Sequence, residues 1–390
     1  MDVREKSVLM HEKFKGKISV VSKVPVTNKE ELAVAYTPGV AEPCLLIEKD
    51  PDKSFTLTSR ANMVAVITDG SAVLGLGNIG PRAGMPVMEG KCVLFKEFAD
   101  IDAFPICINS NDVDEIVNTI KLISYSFGGI NLEDISAPRC FIIEEKLKPL
   151  VDIPVYHDDQ HGTSVVVLAA LLNALKIKKL SIKDARIVLN GAGAAGIAIS
   201  KLLIEDGAQD LTICDKTGPL YPGLEGMTPA QAEMALITNK HNVRETLKDA
   251  LVDADVFIGV SAPNIVTEEM IASMAKDPVV FPMANPTPEI MPDLAKKAGA
   301  YIVGTGRSDF PNQINNVLAF PGVFKGTLKV RAKDITTKMN LAAAHAIANT
   351  IDEKDLTPEY IIPDPFDKRI VKNVSEAVAK AAIEEGIAQI

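Results

Sequence analysis

The stretch RIVLNGAGAAGIAISKLL, residues 186–203, decides the fold, because closely spaced glycines join an apolar strand to a helix. Gly191, Gly193 and Gly196 stand at G-x-G-x-x-G spacing. Glycine at these positions permits a tight turn, a close backbone approach to a pyrophosphate, and close packing of the helix on the strand. The N–H groups at the start of the helix supply hydrogen-bond donors to the pyrophosphate. The pattern predicts a Rossmann-type dinucleotide site, although a glycine triplet alone also fits an ordinary tight turn.

A carboxylate follows at the end of the next apolar run. Asp215 ends the segment LTICD, 24 positions after Gly191. An acidic side chain there accepts a hydrogen bond from the ribose 2′-hydroxyl of NAD and repels the 2′-phosphate of NADP. We expect NAD as the preferred cofactor, with NADP possible because Lys216 lies alongside. A plain turn is the alternative, since Asp215, Thr217 and Gly218 are good turn formers.

Strand-like and helix-like segments alternate through the second half of the chain. This alternation predicts a parallel, doubly wound sheet. The predicted strands cover residues 186–190, 211–214, 256–260, 279–282 and 301–303, a buried helix covers 165–175, and tail helices cover 338–348 and 367–387. Asn285 follows the fourth of these strands, at the edge where such sheets bind ligands, although Asn before Pro is also a common loop dipeptide.

The first 160 residues show a different sequence pattern. A helix is predicted over residues 3–14 and another between 112 and 125. Short apolar runs bounded by Gly and Pro predict buried strands or tight connections, and they cover residues 63–70, 81–87, 103–108 and 153–159. Because 390 residues exceed what one core usually supports, about two domains are expected.

Composition excludes several classes of function. The 41 Lys and Arg against 51 Asp and Glu leave a net charge of −10. With no basic cluster, neither nucleic acid nor an anionic membrane surface is an expected partner. Five widely spaced cysteines without a CxxC pair favour a reducing compartment. No signal peptide or membrane span is recognised, so the cytoplasm is the expected location.

Two pairs of adjacent carboxylates each follow an apolar segment. They are Glu133 with Asp134, and Asp158 with Asp159. Hard divalent cations such as Mg²⁺ and Mn²⁺ bind oxygen ligands of this kind, although adjacent acidic residues also occur in solvated turns. His157 and His161 flank the second pair at a spacing that can bind zinc on a helix. The sequence DDQHG makes a continuous helix doubtful, so supporting or packing roles are expected for both.

Two further residues are candidates for proton transfer. Lys91 lies in the Gly-rich apolar segment GMPVMEGK, where desolvation would lower its pKa and make it a base. Composition alone favours a surface lysine with its ammonium group in water. Tyr36 lies in AYTPGVAEPC, a loop-forming segment, which is suggestive without being diagnostic.

Seven segments together resemble the malic enzymes, specifically the short bacterial form. They lie in the family's order and spacing between Tyr36 and Phe324, and they read AYTPGVAEPC, VITDGSAVLGLGNIGPRAGMPVMEGK, GGINLEDISAPRCF, PVYHDDQHGT, GAGAAG, ANPTPE and FPNQINNVLAFPGVF. The resemblance implies an α/β protein with an N-terminal malate- and metal-binding domain (1–160), a Rossmann-type domain (161–340) and a helical C-terminal tail (341–390). It also implies oxidative decarboxylation of L-malate to pyruvate and CO₂, with NAD or NADP and Mg²⁺ or Mn²⁺, by a homodimer.

The resemblance also implies roles for individual residues. Lys91 matches the general base for the malate hydroxyl, and Tyr36 matches the general acid that protonates the enol. Asp158 would orient or tune the site. The implied metal ligands are Glu133, Asp134 and Asp159; the implied substrate contacts are Asn285 and Asn316; the implied cofactor contacts are Gly191, Gly193, Ala194, Ala195, Gly196, Asp215 and Asn285.

One position departs from the larger members of the family. They carry an arginine shortly before GLG, where this chain has Ala72. Another group must therefore bind the substrate carboxylate, and Arg82 is the nearest candidate.

Two other functions stay open at this stage. A decarboxylase of oxaloacetate on the same scaffold would need the metal, Lys91 and Tyr36 but no hydride acceptor. A noncatalytic nucleotide sensor would be expected to lack at least one of the chemical groups. Whether one chain of a dimer lends Tyr36 or Lys91 to its neighbour's site is also open.

Overall fold

The computed structural model describes residues 1–73 and 75–390 and contains two sheets. Leu74, within the VLGLG segment, lies outside the described residues. The first sheet is parallel, with strand order β2-β1-β3-β4. Its strands are β1 (Met63–Thr68), β2 (Asp102–Cys107), β3 (Gly129–Leu132) and β4 (Val155–His157). Three of the predicted apolar runs therefore contain strands.

The second sheet follows the Rossmann pattern, with order β10-β9-β8-β5-β6-β7. Its strands are β5 (Arg186–Asn190), β6 (Asp210–Asp215), β7 (Gly218–Pro219), β8 (Val256–Gly259), β9 (Val279–Pro282) and β10 (Ile302–Val303). All pair in parallel except β7, which runs antiparallel to β6 after a tight turn. This confirms the predicted doubly wound parallel sheet and its five strands; the short β7 was not predicted.

Helices cover both sheets and form the C-terminal tail. In the first part of the chain they are α1 (Val3–Phe14), α2 (Lys29–Ala35), α3 (Ala41–Lys49), α4 (Ser54–Leu57), α5 (Gly80–Ala99), α6 (Val113–Ile123), α7 (Arg139–Leu147) and α8 (Asp158–Lys178). They continue as α9 (Ala194–Glu205), α10 (Pro229–Ala235), α11 (Leu247–Leu251), α12 (Glu268–Ala272), α13 (Pro292–Lys297), α14 (Phe320–Lys329), α15 (Thr337–Ala348) and α16 (Arg369–Glu384).

The prediction for residues 81–87 was wrong. This segment, PRAGMPV, lies inside α5 and is neither a strand nor a tight connection, and Pro86 is within the helix. Local propensity is overridden by burial, because the same helix places Met88, Cys92 and Phe95 in the core. The fold thereby turns Lys91 inward on a buried helix face.

Helix α8 is the central helix of the core and begins directly at the acidic pair. It continues through Gly162, so the doubt about a continuous helix over DDQHG was wrong. By length and composition α8 is apolar enough to cross a membrane, but 72% of its most apolar stretch is buried inside the protein, as in the core helix of a globular domain. The tail helices α15 and α16 pack with α8 and α14 into the same core.

Residues 1–50, here called the N-terminal arm, contrast with this core. The predicted helix over 3–14 is confirmed as α1, yet none of α1, α2 and α3 contains a buried residue. The arm is attached through Lys17, which contacts Glu89 and the Pro86 carbonyl, and through a Lys23–Asp102 ion pair. Its exposed apolar side chains include Val3, Val8, Leu9, Phe14, Val20, Val21, Val24, Val26, Leu32 and Val34.

Candidate active site

Lys91 lies on α5, near the carboxyl ends of β3 and β4, and is only 6% exposed. Its Nζ donates to Glu133 Oε1 at 2.9 Å and to the Asp158 carboxylate. The same Nζ lies 4.0 Å from the centre of the Phe320 ring. An inward-facing lysine with these contacts is not a surface lysine, so the alternative interpretation from composition was wrong.

The expected lowering of the Lys91 pKa was also wrong. Burial alone would lower it, but the carboxylates of Asp158 and Glu133 raise the pKa of Lys91 above its ordinary value. Sequence composition could not reveal this, because both partners are distant in the chain and reach Lys91 only through β3 and α8. The side chain is therefore held as an ammonium ion in this arrangement.

The carboxylates stand at the carboxyl ends of β3 and β4, which are neighbours in the first sheet. Glu133 follows β3 and accepts a 2.8 Å hydrogen bond from Asn131 Nδ2. The backbone N–H of Asp134 donates to Asp159 Oδ2 at 2.8 Å. Asp158 also accepts a hydrogen bond from Asn316 Nδ2. Asn316 lies in the segment before α14, so this bond joins that segment to the cluster.

The cluster carries more negative than positive charge, which suits a hard divalent cation. Burial raises the pKa of Asp158 and of Glu133, and each is raised further by a neighbouring carboxylate, while Lys91 lowers both. Asp158 Oδ1 is buried with no hydrogen-bond partner among the described residues. Residues 1–73 and 75–390 contain no preformed group of three Asp, Glu, His or Cys side chains that could hold a metal. The donors fit Mg²⁺ or Mn²⁺ in type and charge.

The two histidines have separate structural roles. His161 Nε2 lies 2.8 Å from Glu144 Oε1, and its ring packs against Tyr156. Burial alone would raise the pKa of Glu144, but His161 lowers it to about 2. His157 ends β4, and burial lowers the pKa of its ring to about 4. These contacts agree with the expected supporting or packing roles.

The glycine loop follows β5 and borders a cavity of about 680 Å³ that Asp215 and Ser261 also line. Gly191 has φ +112°, and a Cβ there would lie 2.5 Å from the Val260 carbonyl oxygen. A Cβ at Gly196 would lie 1.8 Å from the Gly191 carbonyl oxygen, so the helix packs directly on the loop. Two of the glycine positions therefore require glycine on steric grounds.

Asp215 does not stand alone at the end of β6. Gln231 Nε2 donates to Asp215 Oδ2 at 2.8 Å and to the Ala192 carbonyl at 3.1 Å. Gln231 thus fixes the carboxylate relative to the glycine loop. The sequence prediction missed Gln231, whose one local signal is the helix-capping pattern T-P-A-Q that begins α10.

A larger cavity of about 1000 Å³ also borders the glycine loop. Phe141 of α7 and Ile197 of α9 line this larger cavity. Gly193 and Asp215 line both cavities. The two cavities therefore form a cleft around the loop.

The other predicted site residues differ in whether they contact the Lys91 cluster. Asn316 bonds to Asp158, whereas Asn285 is exposed in the loop after β9, where its carbonyl oxygen would lie 2.7 Å from a Cβ on Gly75. Arg82 is exposed and forms no ion pair with any described residue. Tyr36 is 66% exposed and its hydroxyl makes no hydrogen bond within the described chain. The structure thus joins Lys91, Glu133, Asp158 and Asn316 directly, but does not bring Tyr36 to them.

Two family models match the chain. The model described as malic enzyme, NAD binding domain, matches residues 160–387. The model described as malic enzyme, N-terminal domain, matches residues 15–112 and 109–148.

Individual relatives match along the full chain. A bifunctional malic/malolactic enzyme of Bacillus subtilis is 57% identical, over 100% of this chain and 95% of its own length. An NAD-dependent malic enzyme of Geobacillus stearothermophilus is 52% identical, over 100% and 81%. The solved structure of a malic enzyme from Pyrococcus horikoshii superimposes with a TM-score of 0.95 at 47% identity, covering 100% of this chain and 92% of that one.

Proposed function

The chain belongs to the malic enzyme family, whose members decarboxylate malate oxidatively with NAD or NADP, and we propose that this protein converts L-malate to pyruvate and CO₂ with NAD preferred and a divalent metal required. The observation that carries the chemical part is the buried cluster in which Lys91 meets Glu133 and Asp158, at the start of the helix α8 that also lines the larger cavity with Gln160. A buried lysine with two carboxylates can accept, hold and pass on a proton.

Lys91 acts as the general base that removes the proton of the malate C2 hydroxyl. Its Nζ must first lose its own proton, and the bonded Asp158 carboxylate is placed to take it. Because Asp158 and Glu133 raise the pKa of Lys91, this transfer would need the positive charge of a divalent ion at the neighbouring carboxylates, which would lower the pKa of Lys91. Asp158 therefore sets the charge of Lys91, and Asn316 holds the Asp158 carboxylate in place.

Glu133, Asp134 and Asp159 would hold the divalent ion, with Mg²⁺ and Mn²⁺ both fitting the oxygen donors. When bound, such an ion acts as a Lewis acid that polarises the C2 oxygen and stabilises the enolate left by decarboxylation. Asn285 and Asn316 supply amide groups that orient the substrate.

Asp215 selects NAD by accepting a hydrogen bond from the ribose 2′-hydroxyl. Gln231 occupies one of its oxygens, Oδ2, at 2.8 Å, which leaves Oδ1 available for the ribose. The backbone of Gly191, Gly193, Ala194, Ala195 and Gly196 would meet the pyrophosphate at the start of α9.

Tyr36 is the general acid that protonates the enol carbon, and we infer that the working unit is a homodimer. The N-terminal arm that carries Tyr36 exposes a row of apolar side chains and buries none of its helical residues. Large exposed apolar surfaces of this kind are typical of oligomer contacts. The arm of one chain would thus bring Tyr36 to the Lys91 cluster of its partner.

The proposed activity is tested by absorbance of the reduced nicotinamide with L-malate and Mn²⁺, with NAD and NADP in parallel and with pyruvate assayed in the same tube. Pyruvate in equal amount to the reduced cofactor is expected. Lactate is measured too, because the Bacillus subtilis relative is named a bifunctional malic/malolactic enzyme. Pyruvate from oxaloacetate with no cofactor reduction from malate would favour the decarboxylase instead, and no reaction with either would favour a nucleotide sensor.

The same assay tests the base. Lys91→Ala should abolish malate oxidation in the folded protein. Lys91 Nζ contacts Glu133 and Asp158, and no other described side chain lies in this position to act as the base. Near-normal turnover by Lys91→Ala would contradict the assignment. Tyr36→Phe should impair mainly the protonation of the enol.

A further inference from the structure

Glu289 is a buried carboxylate that the proposed chemistry does not use. It is 0% exposed and forms no ion pair with any lysine, arginine or histidine in the described part of the chain. An unpaired buried carboxylate is costly unless several hydrogen bonds compensate for its lost hydration. Its position in the fold indicates what it does.

Within the described part of the chain, the donors to Glu289 come from two loops that follow neighbouring strands. Oε1 accepts from the backbone N–H of Ser261 at 2.7 Å and from the Ser261 hydroxyl at 2.9 Å. Oε2 accepts from the backbone N–H of Ala284 at 3.0 Å. Ser261 lies just beyond β8 and Ala284 just beyond β9, so one side chain joins both loops.

The network extends to a third strand. The Ser261 hydroxyl, whose hydrogen goes to Glu289, accepts from Asn190 Nδ2 at 2.8 Å. Asn190 is the last residue of β5 and directly precedes Gly191 of the glycine loop. The adjacent strands β9, β8 and β5 are therefore linked at their carboxyl ends through one carboxylate.

The surrounding backbone is shaped to admit this side chain. A Cβ at Gly259 would lie 2.5 Å from the carboxyl carbon of Glu289, so a larger residue at the end of β8 would displace this carboxylate. The Val266 N–H donates to the Glu289 carbonyl at 3.0 Å, and the Asn264 N–H donates to the Pro288 carbonyl at 3.1 Å. These bonds join the segments 261–266 and 284–289 along their length.

We propose that Glu289 is a positioning residue that fixes Asn285 and the glycine loop relative to each other. Asn285 directly follows Ala284, whose N–H Glu289 holds, and Gly191 directly follows Asn190, which Glu289 holds through Ser261. The inference rests on the proposed function, because Asn285 is there the contact to substrate and cofactor. It adds that the geometry of this contact is set by a carboxylate that touches neither.

The test is Glu289→Gln, which keeps the size of the side chain. An amide offers one acceptor oxygen where the carboxylate offers two, so its NH₂ group must face an N–H, either that of Ala284 or that of Ser261. We expect the NADH dissociation constant, measured by fluorescence without turnover, to rise at least tenfold. We also expect kcat/KM for malate to fall at least tenfold in the same protein.

Asn173→Ala provides the matched control. Asn173 is also fully buried, and its Nδ2 donates to the carbonyls of Ala348 and Ile361 at 2.9 Å each, between α8 and the tail. Its loss should lower the unfolding free energy and leave NADH binding and KM unchanged. If Glu289→Gln behaves like this control, Glu289 is merely structural and the inference is overturned.

A double-mutant cycle tests the route through Asn285. Asn285→Ala alone should lower kcat/KM for malate, and adding Glu289→Gln should then lower it less than threefold further, because the positioned group is gone. Full additivity would overturn the proposal.

A second variant, Ser261→Ala, serves if Glu289→Gln does not fold. It keeps the Glu289 charge but breaks the link to Asn190, so it should weaken NADH binding. If the wild-type protein binds NADH but does not oxidise malate, the proposed function is contradicted. The NADH-binding test of Glu289 can still be made in that case.

Discussion

The Asp215 carboxylate makes the choice between NAD and NADP testable at a single residue. Asp215→Ser removes the charge that repels a 2′-phosphate while retaining a hydroxyl for hydrogen bonding. The ratio of kcat/KM with NADP to that with NAD should rise at least tenfold, because the neighbouring Lys216 would then attract a 2′-phosphate without opposition from the carboxylate. Initial rates with both cofactors at saturating malate measure it. An unchanged ratio would mean that Asp215 does not face the ribose.

The Glu144–His161 pair links a residue of α8 to the stability of α7. His161 lowers the pKa of Glu144 to about 2 from its usual 4.5, so the ionised form is favoured in the folded state. A depressed folded pKa contributes stability above pH 4.5 that is lost as pH falls toward 2. Glu144→Gln should therefore cost about 2 kcal/mol near pH 7 and progressively less below pH 4.5.

Urea unfolding at a series of pH values measures this difference. Glu233→Gln is the control, because Glu233 pairs with Lys201 at 3.0 Å on the surface, where ion pairs contribute about 1 kcal/mol or less. If the cost of Glu144→Gln stayed constant down to pH 3, the ion pair would not be its source.

At the scale of single residues, sequence could predict identity but only part of the environment. Lys91 stands out in its apolar segment, yet the sign of its pKa shift depends on Asp158 and Glu133, which are separated from it by 67 and 42 positions. The glycine spacing predicts the nucleotide loop because its requirement is local. Glu289 escaped notice because its three donors belong to loops that meet only in the folded sheet.

Among the elements, the contact between α14 and α16 depends on two glycines. A Cβ at Gly322 would lie 2.7 Å from Val374 Cβ, and one at Gly326 would lie 2.5 Å from the Ser375 carbonyl oxygen. Gly322→Ala should thus overpack the contact and cost about 1–3 kcal/mol. Combining it with Val374→Ala, which keeps Cβ but removes the Cγ1 that the new Cβ would also meet at 2.7 Å, should recover part of that loss. Thermal or urea unfolding measures both.

Gly90→Ala is the matched control for Gly322→Ala. Gly90 also lies within a helix, α5, but a Cβ there would meet only Lys17 Nζ, at 3.9 Å. Alanine should stabilise this position by about 0.5–1 kcal/mol through helix propensity. If both substitutions changed the unfolding free energy in the same direction, steric contact at Gly322 would not explain the result.

Elements with strong local patterns were predictable, and those decided by tertiary contact were not. The strands of the second sheet were found because each is an apolar run followed by turn residues. Residues 81–87 were misjudged because their Pro and Gly indicate a break, whereas burial of Met88 and Phe95 keeps α5 helical. The short β7 has only two residues, which is too few for any period.

For the whole molecule, the proposed roles of Tyr36 and Lys91 would make dimer formation a condition of catalysis, because the described chain does not bring Tyr36 into contact with the Lys91 cluster. An arm with no buried helical residue gains little by lying on its own chain, and its apolar side chains are covered if a second chain packs on them. A symmetric dimer would exchange both arms and complete two sites at once. The site residues that meet within one chain are those on α5, β3, α8 and the segment before α14.

Mixing two variants that each lack one proposed proton-transfer group, with pyruvate formation as the activity, tests whether sites are shared. If Tyr36 serves the partner's site, a heterodimer of Lys91→Ala and Tyr36→Phe chains contains one site with both groups intact. After unfolding and refolding an equal mixture, half of the dimers are mixed, and about a quarter of wild-type activity should return. Lys91→Ala mixed with Asp158→Ala should recover none, because those two side chains are hydrogen-bonded within one chain. A silent first mixture, with mixed dimers verified by mass spectrometry, would place Tyr36 in its own chain's site.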